Sequence, residues 1–281
     1  MSNHDLLLDE TLDLNKSKQY KLSILFEKNG LSFIILDTNV DKIIAYKYSK
    51  IEVVDNQKEY CYFINKILNS EEFVKYEYKN IYLLYPSFRS ILVPDNFYSE
   101  DRKKDLFELN LHLDKEDTLL TTPIPSINSK KIFTVPTCMA DLIQNYFDVS
   151  RVYHQSTPLI HKYVKEKNTD AIILNIHQDY FDIQVVKDKK LLLDNAFKYQ
   201  TKEDFLYYLL FALEQLSLEA INQKIIVYAD MNQHFKLVNF SKKYFGAFDL
   251  ASQPKAYNYS YLFSKEDINK TLAQISVFEC E

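Results

Sequence analysis

KLSILFEKNGLSFIILD, residues 21–37, reads as two strands joined by a tight turn. Leu22, Ile24 and Phe26 alternate onto one face, with Ser23 and Glu27 on the other, the period-two pattern of a strand with one face toward a core. Asn29-Gly30 is a dipeptide that tolerates positive φ and suits a type I′ turn, so 21–27 and 31–37 should pair as a hairpin. A second turn over 38–41 leads into a third strand, 42–48, around Ile43, Ile44, Ala45 and Tyr46. Asp55 can cap a following helix with Tyr60, Phe63, Ile64, Ile67 and Leu68 on one stripe. Residues 81–85 then make a short apolar strand that Pro86 ends.

The same order returns from Asp170. Ile172, Leu174 and Ile176 alternate as Leu22, Ile24 and Phe26 do, and residues 179–186 and 191–197 supply the second and third strands. Thr201 and Asp204 resemble a capping box ahead of a helix carrying Phe205, Leu206, Leu209, Leu210, Leu213 and Leu216. The fourth strand follows at 225–229. First to fourth strand spans 59 residues in one block (22 to 81) and 53 in the other (172 to 225), which reads as a duplication of pattern without sequence identity.

Between the blocks, residues 117–137 look like an extended hairpin or crossover, 137–147 a helix and 151–154 a short strand. Ser156-Thr157-Pro158 starts a helix through Lys167, with Ser or Thr as cap and proline at the first position. After the second block come a helix over 232–243, a fifth strand at 245–250, and a last helix capped by Ser264. Residues 1–19 carry no clear pattern. Three antiparallel strands followed by helix-linked ones imply a mixed five-stranded sheet with packed helices, once per block.

Composition narrows the functional classes. The chain has 281 residues, 22 tyrosines, 19 phenylalanines, no tryptophan and only two glycines, Gly30 and Gly246, where about 20 would be usual. A net charge of −5 argues against nucleic-acid binding, which needs a basic stripe. Cys61, Cys138 and Cys280 are odd in number and far apart, fitting reduced thiols in a cytoplasmic protein. No apolar run reaches a transmembrane length, and the acidic start lacks a secretory signal's basic and apolar regions. The six histidines show no metal-binding spacing, and Cys138 with His154 and His161 makes a poor case for a thiol–imidazole pair.

On residues 20–50 and 171–215, Thr121-Thr-Pro-Ile-Pro125 and Ser156-Thr-Pro-Leu-Ile160, the chain resembles an uncharacterised bacterial family of about this length assigned an actin-like ATPase fold. More distantly it is similar to actin-like scaffold proteins of pilus and secretion machines. The resemblance implies an α/β fold of duplicated, ribonuclease H-like βββαβαβα halves with mixed five-stranded sheets. Those halves are expected at 1–165 and 166–281, with the C-terminal helix free to return to the first. It supplies no catalytic residue.

Actin-like ATPases place an acid and glycines at the turn after the first strand of each half, so that the backbone can approach the phosphates. Here the first turn keeps Glu27, Gly30 and Ser32, but the second has no glycine and carries Asp179 beside the bulky Tyr180. The expectation is therefore a non-catalytic scaffold or adaptor with a protein partner and no cofactor. The alternative is a divergent ATPase using Glu27, Gly30, Ser32 and Asp179 with ATP and magnesium. His177, Gln178, Asp179, Tyr180, Lys28, Asn29 and Ser32 should fill the cleft between the halves and exclude a triphosphate. An open pocket of several hundred Å³ would favour the alternative.

Overall fold

The computed structural model describes residues 6–52, 56–148, 151–166 and 170–280. In chain order the elements are β1 (Leu6–Leu8), β2 (Tyr20–Glu27), β3 (Gly30–Asp37), β4 (Lys42–Lys50), α1 (Gln57–Ser70), β5 (Asn80–Tyr85), β6 (Ser90–Pro94), α2 (Lys103–Glu108), β7 (Asp117–Ile124), β8 (Ser129–Pro136) and α3 (Thr137–Tyr146). There follow β9 (Val152–His154), α4 (Ser156–Lys165), β10 (Ala171–Ile176), β11 (Tyr180–Lys187), β12 (Lys190–Lys198), α5 (Lys202–Gln215), β13 (Lys224–Tyr228), α6 (Met231–Ser241), β14 (Ala247–Leu250), β15 (Asn258–Tyr259) and α7 (Lys265–Ile275).

The first sheet runs β1-β4-β3-β2-β5-β9, with β15 also paired to β4, and the second runs β12-β11-β10-β13-β14. Within both, the order is third, second, first, fourth, fifth. The first three strands are antiparallel and the last two parallel. That shared order is the topological counterpart of the sequence pattern. A separate sheet, β6-β8-β7, rises from the β5–α3 connection; residues 117–137 make its hairpin.

Alternation explains the packing. Leu22, Ile24, Phe26, Phe33 and Ile35 point to α1 and α3, which return Ile64, Leu68, Met139 and Ile143. From the opposite face Ile34, Leu36, Ile43 and Tyr46 meet Phe263, Ile275, Val277 and Phe278. The C-terminal segment therefore packs on the first sheet. In the second sheet Ile172, Leu174, Phe181 and Ile183 meet α5 and α6 through Phe205, Leu209, Leu213 and Val238. Its reverse face takes Leu159, Ile160 and Tyr163 of α4 and Leu272 of α7.

Local chemistry differs from the sequence reading at four points. The β2–β3 hairpin forms, but Glu27 pairs directly with Gly30, so the two-residue loop is Lys28-Asn29 and neither residue has positive φ. Gly30 is needed for another reason: a Cβ there would lie 2.4 Å from the Ser49 carbonyl oxygen and 3.0 Å from the Tyr48 ring. The I′-like turn occurs instead between β11 and β12, where Asp188 and Lys189 both have positive φ. Asp55 lies outside the described residues; Asn56 caps α1, accepting from the Glu59 amide at 2.8 Å.

Neither Ser156 nor Thr157 caps α4, since both lie inside it. Ser156 Oγ meets His154 Nδ1 at 2.8 Å instead. Cys61 and Cys138 are joined in a disulfide across α1 and α3, correcting the reading of reduced, separate thiols. Helix packing brings together two residues 77 apart, which spacing alone does not show. The capping boxes at Thr201 and Ser264 form as read.

Candidate functional site between the sheets

β2 and β5 run parallel in one sheet and β10 and β13 in the other, so the carboxyl ends of both pairs can open on a shared crevice, the usual ligand position in α/β sheets. A cleft of about 560 Å³ lies there. Glu27, Lys28 and Asn29 enter it from the end of β2, and Gln57 and Tyr60 from the start of α1. Leu84 and Tyr85 at the end of β5, and residues 86–89 after it, join the same wall. Opposite stand Asn175 to Tyr180 from the β10–β11 turn and Tyr228 to Asp230 after β13, while Asn269, Lys270, Ala273 and Gln274 of α7 complete the lining.

The expectation of a filled cleft is thus corrected. The large side chains fold back against their own hairpin. His177 stacks on Tyr180 with ring centres 4.4 Å apart, and its Nε2 lies 3.0 Å from Asp182 Oδ2. The Gln155 amide donates to the Tyr180 hydroxyl at 2.8 Å and to the buried Asp182 carboxylate. Among the described residues, contacts that cross the opening include Lys28 Nζ to Asp179 Oδ2 at 3.1 Å and Phe88 against Tyr180, with Lys198 above the Phe88 ring. The Lys28–Asp179 pair is half-exposed, so its attraction is weak.

Of the four sequence-predicted site residues, Glu27 and Asp179 line the cleft and the other two do not. Gly30 faces β4. Ser32 is buried below the wall and donates to Gln274 Oε1 at 2.7 Å. Gln274 Nε2 in turn donates to the Ser23 and Ser32 carbonyls at 3.1 and 3.2 Å, pinning α7 across β2 and β3.

Burial pushes the Glu27 carboxyl up to about 7; Ser32 and the charge of His177 work against that rise, and Asp230 adds to it. Asp230 caps α6, accepting from the Asn232 amide at 2.9 Å and from Gln233 Nε2 at 2.9 Å. On the far wall Arg89 is held by Asp114 at 2.7 Å and by Asp117, which also accepts from Gln57 at 2.8 Å. Burial raises the Asp117 carboxyl as well.

Glu27 can therefore gain or lose a proton near neutrality. Phosphate-binding features are scarcer. The His177 amide already donates to the Tyr180 carbonyl at 2.9 Å, and the Asp230 carboxylate occupies the start of α6. Two of the cations, Lys28 and Arg89, are spent on carboxylates. Sequence reading missed Asp230 by starting that helix at Asn232; an aspartate directly before a helical run was the available signal. Nothing local pointed to Lys270 or to Gln274, the latter meeting Ser32 across 242 residues of chain.

Cys138 is closed off in the disulfide. His154 is buried between Ser156 Oγ and the Ser87 carbonyl, both at 2.8 Å, and burial takes its imidazole down to about 3.

A crystal structure from Bacteroides thetaiotaomicron VPI-5482, of a protein with actin-like ATPase fold and unknown function, is similar with a TM-score of 0.80. It is 22% identical, over 96% of this chain and 100% of that one. The PilM–PilN type IV pilus biogenesis complex matches with a TM-score of 0.59 and 10% identity, over 94% and 99% of the chains. Ethanolamine utilization protein EutJ from Carboxydothermus hydrogenoformans matches with a TM-score of 0.50 and 6% identity, over 96% and 91%. No curated protein sequence matches the chain. The fold is the actin-like ATPase fold. Residues 9–248 match the model of one protein family, so the chain belongs to the family described as "Protein of unknown function (DUF3822)".

Proposed function

We propose that this protein is a non-catalytic adaptor of actin-like fold that acts by binding a protein partner. The observation that carries the reading is the state of the two turns facing the cleft. In the first turn, Gly30 is turned to β4 and away from the cleft. In the second, there is no glycine and the His177 amide is already bonded to the Tyr180 carbonyl, so it is not free to cradle a phosphate. The adaptor reading also draws support from PilM–PilN, a solved structure of similar fold that is itself a complex. In this reading the chain has two lobes parted between α4 and β10, with the segment after β14 returning to the first.

One observation favours a second reading, nucleotide binding. The cleft is open, and 560 Å³ falls within the range of small-molecule sites. The steric objection to a nucleotide is therefore gone, and the missing backbone cradle and the spent cations remain. Under this reading Glu27, Asp179 and Asp230 would face a magnesium-bound nucleotide.

Calorimetric titration with Mg-ATP, with phosphate release followed in parallel, separates the two. The adaptor reading expects no saturable heat up to about millimolar nucleotide and no hydrolysis. Micromolar binding with turnover overturns it.

Among the described residues no helix is long and apolar enough to cross a membrane. A cytoplasmic setting remains part of the proposal. There, reducing thiols would hold the Cys61–Cys138 bond open, so the crosslink is where this setting is most exposed to test.

A further inference from the structure

Away from the cleft, the start of α4 borders a second cavity of about 330 Å³. Its walls divide by chemistry. Pro123, Ile124 and Pro125 at the end of β7, with Tyr153 of β9, make an apolar side. Thr157, His161 and Ser126 make a polar side, with Arg151 and Lys165 also lining the cavity.

The polar side is incomplete. Thr157 is 2% exposed and His161 7%, yet among the described residues Thr157 Oγ1, His161 Nε2 and Ser126 Oγ have no hydrogen-bond partner. Folded chains rarely leave buried polar atoms unpaired, because each forfeits its hydration without return. Three such atoms on one cavity wall are the mark of groups held for a ligand.

The charged side chains that line the cavity, Arg151 and Lys165, are both cations, with Glu279 beside Cys280 at its edge. Among the described residues neither Arg151 nor Lys165 is paired with a carboxylate; the Arg151 guanidinium leans on the Tyr153 ring at 5.7 Å. The ten-residue α4 presents its N-terminal, electropositive end here. The Gln155 side chain does not cap that end, but the Ser156 amide there is already donated to His154 Nδ1 at 3.2 Å.

We propose that this cavity binds a small organic carboxylate with an apolar body. The carboxylate accepts from the Thr157 hydroxyl and from Nε2 of the His161 imidazolium, whose ring is also bonded to the Glu279 backbone, with Arg151 and Lys165 supplying further countercharge. The body lies on Ile124 and the flanking prolines. An inorganic anion would meet the same cations but leave that apolar wall uncovered. The site is separate from the interlobe cleft, so it stands or falls independently of the adaptor reading.

The test is calorimetric titration of the full chain with phenylacetate, isovalerate and hexanoate, against 2-phenylethanol and inorganic phosphate. At least one carboxylate should saturate in the millimolar range or tighter, with the alcohol and phosphate weaker by tenfold or more. Thr157→Val should weaken that binding about tenfold without lowering Tm, because it removes a hydroxyl buried without a partner. Arg151→Gln should weaken it comparably. Three results would overturn the proposal: no carboxylate saturating by about 20 mM, phosphate binding as tightly as the carboxylates, or Thr157→Val binding like the parent.

Discussion

Replacing Glu27 with glutamine should stabilise the protein at pH 8 and change little at pH 4.5. The carboxyl sits at about 7 in the folded chain against an ordinary value of 4.5. The folded state therefore holds this proton more tightly than the unfolded chain does. Between those two values it binds more protons, so stability falls as pH rises through the window, and the loss is complete above about 7. Each pKa unit is worth ~1.4 kcal/mol, so the full shift corresponds to about 3 kcal/mol. Glu27 borders an open cleft, and solvent screening reduces this to about 2 kcal/mol. Glutamine keeps the carboxyl's shape and carries no charge, so it escapes the penalty. For a chain of this size the gain at pH 8 converts to ~4–6 °C in Tm. Thermal melts of parent and Glu27→Gln at pH 4.5, 6, 7 and 8 give the assay. A Tm difference that stays flat across the series, or that favours the parent at pH 8, would refute the burial argument.

Gly30→Ala should cost about 2–4 kcal/mol, because its Cβ would meet the Ser49 carbonyl at 2.4 Å and backbone cannot step aside as a flexible side chain can; an unchanged denaturation midpoint would contradict this. Opening the Cys61–Cys138 bond should cost about 2–4 kcal/mol by freeing a long loop in the unfolded chain. Thiol counting on the unreduced, denatured protein should find one cysteine, Cys280, and three counted thiols would rule the crosslink out. His154, held at about 3 against an ordinary 6.5, is neutral when folded. Its contribution is full above 6.5 and is lost as pH falls toward 3, and its ring resonances should not titrate between pH 5 and 8. A midpoint near 6 would mean the imidazole is not buried.

Much of the architecture was legible because it is written in short-range pattern. Leu22, Ile24 and Phe26, then Ile172, Leu174 and Ile176, have the period of strands with a buried face, and each set became the first strand of its sheet. Thr201 and Ser264 announce helix starts because a cap needs only residues three apart. The candidate site was legible in part. Glu27 and Asp179 follow first strands, and topology carries both to the cleft.

What the sequence determined by itself was therefore the order and period of the paired strands and the helix starts at Thr201 and Ser264, since alternation and capping act over a few residues. Tertiary structure alone decided the rest. Whether His177 and Tyr180 plug the cleft or stack on each other depends on Asp182 of their own hairpin and on Gln155, which arrives from the end of β9. Whether Gly30 serves a ligand or a neighbouring strand depends on how closely β4 approaches. Cys61 meets Cys138, and Ser32 meets Gln274, only because helices dock on a sheet face. The Cys61–Cys138, Ser32–Gln274 and Gln155–Tyr180 contacts are set by the packing of surfaces far apart in the chain, and no local window of sequence holds both partners.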